Sequence, residues 1–465
     1  MFIIGWIAWR RTKNLADYIL GGRQLGRWTT ALSAGASDMS GWLLLGLPGY
    51  AYVAGFEAIW IAVGLLAGTW LNWCFVAPRL RERSETFNNA LTLPEFFEYR
   101  FNDQKHILRI ISAFFILLFF IFYTSAGLVA GGKLFESVFE LPYAWAVFAG
   151  TVSILLYTTI GGFLAVSWTD LFQGLLMLFA LAYVGLAALN SIGGLSITLE
   201  TMRVVDPALT DIFKETTTVS LSVITICSLL GWGLGYFGQP HILVRFMAIR
   251  STQIVPSARR IAVSWTGLSL AAALLVGFTG IGLLESPLIG IDSEKVFIAM
   301  VAHLFHPVPA GICLAAILAA IMSTADSQLL VATSAFTEDF YRALFKQQAS
   351  QQELVHVGRV TVVVIAFFAF FLALRYQQSV LDLVAYAWAG FGAAFGPVLL
   401  LSLYWKGMTR LGAMGGILTG SFTVIIWHQL DGGIFELYEL VPGFILALLA
   451  ATFLSLLTPR TQSSL

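Results

Sequence analysis

Two clusters of oxygen-bearing side chains interrupt apolar stretches of the sequence, and each cluster could bind a small cation. In the first, Gly35 and Gly41 flank Asp38 and Ser40. A carboxylate at the centre of a membrane helix costs about 2.5–3.5 kcal/mol on insertion scales, so we expect Asp38 to face a cavity or a cation. The simpler alternatives are a lone acid that serine hydroxyls satisfy, and close helix packing by small residues. Because packing explains single residues but not the glycine-bounded group, we favour a functional site.

The second cluster contains the adjacent hydroxyls of Ser323 and Thr324, followed by Asp326. A single serine or threonine in a membrane helix commonly bonds to a carbonyl of its own preceding turn, and this is the structural alternative. Together with free carbonyl groups of an unwound helix elsewhere, however, two hydroxyl oxygens complete a shell of hard ligands. Such a shell suits a dehydrated sodium ion.

A third segment combines aromatic residues with glycines. Trp232, Tyr236 and Pro240 are spaced four residues apart, with Gly231 and Gly235 beside them. In an α-helix this spacing places the three larger residues along one side, next to a strip of bare backbone. The pattern predicts a wall for a small, partly apolar solute. An aromatic belt at the membrane interface, or ordinary core packing, fits the spacing equally well.

The composition identifies the surroundings in which these clusters lie. Of the 465 residues, 58% are hydrophobic and only 11% are charged, and the mean hydropathy is +0.82. A soluble globular protein is excluded, because the apolar excess must face lipid. The formal net charge is zero, which argues against a nucleic-acid partner. The three cysteines are far apart and predict neither a disulfide nor a zinc site. Motifs of hydrolases, zinc proteases and nucleotide-binding loops are missing from the sequence, so we do not expect an enzyme.

Apolar runs long enough to cross a bilayer recur along the whole chain. A spanning helix needs about 20 such residues, and by this criterion we predict about twelve complete spans. They lie at 29–53, 57–77, 107–132, 142–163, 170–190, 219–237, 261–284, 309–335, 360–375, 380–405, 411–430 and 440–458. The apolar residues 1–9, followed by Arg10 and Arg11, are interpreted as the remainder of a truncated first span rather than a signal peptide.

The positive residues predict the orientation of these spans. Of the 26 Lys and Arg residues, 21 lie in the joints on one side, including the C-terminus, and five on the other. The positive-inside rule places the richer side in the cytoplasm. Longer joints near 79–106 and 238–260 suggest that blocks of five spans repeat. With an odd number of spans the second block is inverted, a common plan in secondary transporters.

Several of these segments resemble the sodium:solute symporter family, and especially its proline-transporting bacterial members. The matching stretches are YILGGRQLG at 18–26, AGASDMSGWLLLGLPG at 34–49, GGFLAVSWTD at 161–170, GWGLGYFGQPH at 231–241, AAIMSTADSQLL at 319–330 and YAWAGFGAAFGP at 386–397. The resemblance implies an all-α membrane protein with two inverted five-helix repeats, similar to the leucine transporter, plus peripheral helices. The implied division is residues 1–28, a first repeat at 29–190, an extracellular loop at 191–218, a second repeat at 219–405 and peripheral helices at 406–465.

The resemblance also implies roles for individual residues. Sodium would be bound by carbonyl groups and hydroxyls of five residues, Ala36, Met39, Ala320, Ser323 and Thr324. Asp38 would support the sodium site, Ser40 and Gly41 would link it to the solute, and Arg23 would affect coupling or gating. Proline would be held by Trp42, Tyr123, Trp232, Tyr236 and Pro240. Asp326 receives no role.

The expected function is therefore sodium-coupled proline uptake across a bacterial inner membrane by alternating access, without any cofactor. A zwitterionic imino acid suits apolar aromatic walls and exposed helix ends. Symport of another small solute, such as pantothenate or a different amino acid, is an alternative. A transporter-like sensor is a weaker alternative, because such proteins carry a long soluble tail and this sequence ends soon after its last predicted span. The oligomeric state is left open.

Overall fold

The computed structural model describes residues 19–158, 163–375 and 379–458, and this part of the chain is helical, with isolated β-bridges in place of strands. We number the α-helices in chain order. They are α1 Arg27–Asp38, α2 Leu47–Ala54, α3 Ile59–Leu71, α4 Ala77–Thr86, α5 Leu93–Phe101, α6 Ile107–Phe139, α7 Tyr143–Thr158, α8 Phe163–Ile192, α9 Leu195–Val205, α10 Val223–Gly231, α11 Pro240–Ala248, α12 Val255–Leu283, α13 Val296–Leu304, α14 Pro307–Ser334, α15 Gln351–Arg375, α16 Val380–Tyr404, α17 Arg410–Trp427 and α18 Leu440–Leu457.

Shorter helical turns of other types connect several of these helices. Turns with π-helical hydrogen bonding lie between α1 and α2, between α3 and α4, and after α14, at Trp42–Gly46, Asn72–Val76 and Ala335–Phe345. A 3₁₀ segment, Trp232–Gly238, lies between α10 and α11. Another, Gly21–Arg23, precedes α1.

Each of the twelve predicted spans coincides with helix in the described residues. Nine helices of this part of the chain are long and apolar enough to cross a membrane. The count is smaller than twelve because α1 and α10 end early at interruptions, α7 is short, and the consecutive helical segments of Trp42–Thr86 count once although Gly55 breaks the helix between α2 and α3. The interpreted remainder of a first span at 1–9, and the glycine pair at 161–162, lie outside the described residues.

The helices fall into two blocks that each begin with an interrupted helix. The first block comprises α1 with α2, α3 with α4, α6, α7 and α8, and the second comprises α10 with α11, α12, α14, α15 and α16. The core lies where the blocks meet, since α8 packs against α1, α12 and α14, and the 3₁₀ segment packs between α3 and α16. The helices α17 and α18 pack on each other and on α16 at the periphery.

The joint predicted at 238–260 is only partly a connecting segment, because its first half is a buried helix. It contains α11, and every residue of this helix is buried. Arg245, counted above with the cytoplasmic positive charges, is completely buried. The error arose because an arginine was read as a marker of a loop, whereas here it has partners inside the protein.

A short contact ties the chain before α1 to the chain after α11. Leu25 and Ile249 form a parallel bridge, with hydrogen bonds of 3.2 Å from the Leu25 amide to the Ala248 carbonyl and 3.0 Å from the Arg250 amide to the Leu25 carbonyl. The start of the first interrupted helix is thus joined to the end of the second through backbone hydrogen bonds.

Candidate functional site

The first interruption lies where the sequence places Asp38. The helix α1 ends at Asp38 because Met39 adopts φ −85° and ψ 80°, which is not helical. The last regular bond runs from the Met39 amide to the Gly35 carbonyl at 2.9 Å. Helical hydrogen bonding resumes only beyond Ser40, so backbone groups at this depth need other partners.

The carbonyl oxygen of Asp38 collects three of those partners. It accepts hydrogen bonds from the Ser40 amide at 3.0 Å, from the Trp42 indole at 3.0 Å and from the Tyr123 hydroxyl at 3.1 Å. The Asp38 side chain reaches the other interruption, because the Tyr236 hydroxyl donates to its carboxylate oxygen Oδ2 at 2.6 Å. Asp38 is 1% exposed. One residue therefore connects both interrupted helices.

The second interruption has a different shape from the predicted one. Residues Trp232–Gly238 form a 3₁₀ helix, and Gln239 has an extended backbone with φ −75° and ψ 107° before α11 begins at Pro240. A 3₁₀ helix has three residues per turn, so residues four apart do not lie on one side. The predicted single stripe of Trp232, Tyr236 and Pro240 is wrong.

Side-chain N–H groups cap the carbonyls that this unwinding releases. The Trp388 indole donates to the Trp232 carbonyl at 2.8 Å, and the Gln239 amide donates to the Gly235 carbonyl at 3.1 Å. The Asn72 amide donates to the Tyr236 carbonyl at 2.9 Å. Sequence reasoning missed Trp388, Gln239 and Asn72 as residues that support the site.

Two glycines allow this segment to approach its neighbours. A Cβ atom on Gly235 would overlap the indole of Trp388, and one on Gly68 of α3 would overlap the backbone of Gly233. Only residues without a side chain fit at these contacts. Gly41 has a similar place at the first interruption, where a Cβ would lie 2.6 Å from Ala130 and 3.4 Å from Ile321.

Two of the residues expected at a sodium site, Ala36 and Thr324, approach each other between α1 and α14. The Thr324 hydroxyl lies 3.4 Å from the Ala36 carbonyl. Ala36, Met39, Ala320 and Ser323 are completely buried, and Thr324 is nearly so. The Ser323 hydroxyl donates to Asp170 at 2.5 Å, and its oxygen keeps lone pairs with which it can accept a ligand. The chemistry of this donor set, hydroxyl and carbonyl oxygens, matches a hard monovalent cation.

Most residues expected at a solute site also lie together, but one does not. The Trp42 and Trp232 rings have centroids 6.4 Å apart, and Tyr236 packs edge-on against Trp388 at 5.0 Å. Trp232 also stacks on Tyr438 at 5.4 Å. Pro240 instead lines a separate cavity of about 400 Å³ that extends toward Asp339, Thr92 and Ser334.

A buried ionic network beside the hydroxyl pair was not predicted. Asp170 accepts hydrogen bonds from Ser33 at 2.7 Å, from Ser37 at 3.1 Å and from Arg245 at 3.3 Å. Arg245 also donates to Ser327 at 2.6 Å. The only signal in the sequence was an aspartate and an arginine within or beside apolar runs, and they were assigned to the end of a span and to a joint between spans.

Arg23 lies apart from both interruptions, at the end of the molecule where α4 and α11 terminate. Its guanidinium donates to the Ser84 hydroxyl at 2.9 Å, to the Met247 carbonyl at 2.7 Å and to the Ala90 carbonyl at 2.7 Å. Burial, together with the nearby Arg81, lowers the pKa of Arg23 to about 10, so the side chain stays charged at neutral pH. Arg23 clamps three segments rather than contacting the sites.

Relatives of known name cover nearly the whole chain. The model of the sodium:solute symporter family matches residues 18–420. A sodium/proline symporter of Salmonella typhimurium is 53% identical over 462 residues, covering 98% of this chain and 91% of that protein. The high-affinity proline transporter PutP of Bacillus subtilis is 49% identical over 459 residues, covering 98% of this chain and 96% of the relative.

Solved structures show the same fold at low sequence identity. A Na⁺-coupled sialic acid symporter in a substrate-bound outward-open state superposes with a TM-score of 0.79 at 19% identity, covering 98% of this chain and 95% of the other. MhsT in complex with L-phenylalanine gives a TM-score of 0.54 at 12% identity, with 93% and 98% coverage. The expected fold of inverted five-helix repeats with peripheral helices is confirmed. With the family model matching most of its length, the chain belongs to the sodium:solute symporter family.

Proposed function

We propose that this multi-pass membrane protein couples the inward movement of sodium to the uptake of L-proline. The observation that carries the proposal is the position of Asp38, which ends the first interrupted helix and accepts a hydrogen bond from Tyr236 of the second. A cation that orders one interruption would thereby order the other. The solute is proposed from the two relatives, whose names specify proline.

The proposed sodium site consists of the carbonyls of Ala36, Met39 and Ala320 with the hydroxyls of Ser323 and Thr324. The support for it is the approach of Thr324 to the Ala36 carbonyl across the α1–α14 contact. Met39 lies just after the end of α1, so its carbonyl oxygen is outside the regular hydrogen bonding of the helix and is available to a cation. Sodium would replace its hydration water with these oxygens.

The proposed proline site lies between the two interruptions. Trp42, Trp232 and Tyr236 supply apolar surface, and Tyr123 is held beside them by its bond to the Asp38 carbonyl. The released ends of α1 and α11 supply backbone dipoles that suit the ammonium and carboxylate of a zwitterion. Pro240 belongs to the path below the site, because it lines the cavity that leads toward Asp339.

Coupling follows from the order of binding. Sodium entering a negative-inside cell releases about 2.3 kcal/mol per 100 mV of membrane potential. That energy drives accumulation when the empty or half-loaded protein seldom changes between its outward and inward states. Ser40 and Gly41, between Asp38 and Trp42, would transmit the presence of sodium to the aromatic residues.

We further propose a bacterial inner-membrane location with a cytoplasmic C-terminus, and transport rather than catalysis as the activity. The repeats would comprise residues 29–190 and 219–405. The support for the orientation is the excess of positive residues on one side. Arg23 lies on that side and clamps α4 to α11, so we propose that it controls opening toward the cytoplasm. Arg23→Lys should slow maximal uptake while leaving the half-saturation concentrations of sodium and proline unchanged.

The direct test is uptake of radiolabelled proline into proteoliposomes with and without an inward sodium gradient. We expect uptake only with the gradient, and stimulation by an inside-negative potential. A panel of unlabelled competitors, including pantothenate and other amino acids, identifies the solute. Uptake without sodium would refute the coupling, and competition by another solute in preference to proline would refute the substrate.

A further inference from the structure

Gln328 is a buried amide of α14 with no role in the mechanism proposed above. It is 1% exposed. It follows Thr324 of the proposed sodium site by four residues, so the two side chains lie on one side of α14, one turn apart. The Thr124 hydroxyl of α6 donates to Gln328 Oε1 at 3.4 Å, and Thr124 directly follows Tyr123 of the proposed proline site. Gln328 therefore lies between a residue of the proposed sodium site and one of the proposed proline site.

The amide nitrogen of Gln328 is buried and has no hydrogen-bond partner among the described residues. An amide NH₂ group can donate two hydrogen bonds. A donor buried without a partner is costly, and in native proteins such a group calls for a water molecule, an ion or a functional role. Gln328 thus has up to two hydrogen bonds to donate to a ligand at this depth.

Several other donors of this region are already engaged. The Trp42 indole and the Tyr123 hydroxyl both donate to the Asp38 carbonyl, and the Tyr236 hydroxyl donates to the Asp38 carboxylate. The guanidinium of Arg245, the buried arginine of α11, is paired with a carboxylate of α8. A solute carboxylate that entered this region would have to break one of these bonds or use another donor.

Gln328 approaches a side of α6 that also receives an aromatic side chain of α11. Phe120, Tyr123 and Thr124 are three and four residues apart, so they share one side of α6. The His241 ring lies against two of them, with centroids 5.9 Å from Phe120 and 5.7 Å from Tyr123. Polar side chains of α11 and α14 thus converge on the side of α6 that carries Tyr123.

We propose that the Gln328 amide binds the carboxylate of the transported solute and so favours solutes with a free carboxylate. The inference rests on the proposed function, which makes the solute a zwitterion. An ionised carboxylate only accepts hydrogen bonds, so it matches an NH₂ group that only donates. Hydrogen bonds to an ionised group are about twice as strong as those between neutral groups. A neutral amide supplies them without a positive charge that would repel sodium or the solute ammonium.

The test compares the affinities of L-proline and L-prolinamide, which keeps the ring and the ammonium but lacks the carboxylate. Radiolabelled L-proline is bound to the purified full-length protein in nanodiscs at saturating sodium and is displaced by unlabelled L-proline or L-prolinamide. Gln328→Met keeps the length of the side chain without its N–H groups. Gln328→Glu keeps an acceptor for Thr124 but replaces the donor with a charged oxygen.

Thr333→Val is the matched control. Thr333 lies on the same helix and also buries a side-chain polar atom without a partner among the described residues. It faces α15 instead, because a Cβ atom on Gly358 would lie 2.7 Å from Thr333 Cγ2. Valine keeps the shape of threonine, so this variant changes buried polarity on α14 away from the proposed sites.

Gln328→Met should weaken L-proline binding by about 10- to 100-fold, the loss expected for a hydrogen bond to a charged group. It should weaken L-prolinamide binding less, because that ligand is neutral at this end, so the ratio of the two affinities should fall about tenfold. Gln328→Glu should lower the ratio further, since its carboxylate repels that of proline. Thr333→Val should leave the ratio unchanged.

A purely structural role of Gln328 would lower both affinities equally, so an unchanged ratio in the two variants overturns the inference. It is also overturned if ²²Na⁺ affinity without solute falls in Gln328→Met while the ratio holds, because the amide then supports the cation. Either variant alone gives the ratio, so misfolding of one leaves the test decisive. Absence of sodium-dependent proline binding to the unaltered protein would refute the proposed function, and this inference with it, before any variant is compared.

Discussion

The two interrupted helices solve the same problem with different chemistry. At the second interruption, N–H groups of Trp388, Gln239 and Asn72 cap the released carbonyls. At the first, the Tyr123 hydroxyl and the Trp42 indole donate to the Asp38 carbonyl, and the Thr324 hydroxyl lies near the Ala36 carbonyl. The carboxylate oxygen Oδ1 of Asp38 has no hydrogen-bond partner in the described part of the protein. N–H groups can only donate, whereas hydroxyls can donate or accept.

This difference distinguishes a framework, the 3₁₀ segment Trp232–Gly238, from a responsive part, the first interruption around Asp38. The groups that cap the carbonyls of the 3₁₀ segment belong to the protein, so we expect this segment to keep its shape whatever is bound. The oxygens around Asp38 can turn toward a cation, so the shape of the first interruption depends on its ligand. The comparison predicts that damage at the second interruption affects folding, and damage at the first affects sodium.

The largest expected effect is at the framework. Gly235→Ala puts a methyl group into the indole of Trp388, and moving that ring breaks its hydrogen bond to the Trp232 carbonyl. Overpacking of this kind costs about 1–3 kcal/mol, and the lost bond adds a similar amount. We expect a lower unfolding temperature and no proline uptake. Gly267→Ala is the control, because its methyl would meet Leu66 at an ordinary 3.5 Å. Normal stability of Gly235→Ala would contradict the framework role.

The next effect in size is at the responsive part. Asp38→Asn keeps the shape and an acceptor for the Tyr236 hydroxyl, but it removes the charge. We expect the sodium half-saturation concentration to rise by roughly 10- to 100-fold, which corresponds to the loss of a charged interaction. The number of proline-binding sites at saturating sodium and the unfolding temperature should change little. An unfolded protein, or unchanged sodium dependence, would remove the distinction between the interruptions.

Trp232→Ala sharpens the same comparison from the solute side. This change removes an aromatic wall that faces Trp42 and Tyr438. Truncation of a buried aromatic anchor costs about 2 kcal/mol, so proline affinity should fall by roughly 30-fold. Sodium affinity without proline should stay near that of the unaltered protein in ²²Na⁺ binding. Equal losses of sodium and proline affinity would show that the two ligands share this residue.

The smallest effect is expected for Trp388→Phe. Phenylalanine keeps a ring beside Gly235 but cannot donate to the Trp232 carbonyl. An unsatisfied buried carbonyl costs about 1–3 kcal/mol, and relaxation of the ring would bring the loss to the lower end. Chemical unfolding in detergent measures this difference directly. If sodium affinity falls while stability holds, the second interruption is responsive as well.

Hydropathy predicts most of the fold, because lipid makes apolar length a direct requirement. The twelve predicted spans all contain helix, and the interruptions at Asp38 and Gly235 are confirmed by the backbone angles of Met39 and Gln239. Glycine next to polar residues in an apolar run is a local signal, and local signals are readable from the sequence.

Side chains that come from distant parts of the chain were harder to predict. Trp388 lies 156 residues from the carbonyl that it caps, and Asp170 lies 153 residues from Ser323. Arg245 was assigned to a cytoplasmic loop because charge near a helix end suggests exposure, while its partners inside the protein arise only from folding. The α-helical spacing assumed for Trp232 and Tyr236 failed because glycine-rich sequence adopted the tighter 3₁₀ winding.

The bridge between Leu25 and Ile249 has a practical consequence for watching this protein work. Because it binds the start of α1 to the end of α11, neither can swing away alone while both backbone bonds persist. A fluorescent reporter attached to one would record the excursions of the other. If α1 and α11 rotate together during opening toward the cytoplasm, the bridge stays intact. If they move independently, the bridge breaks in every transport cycle.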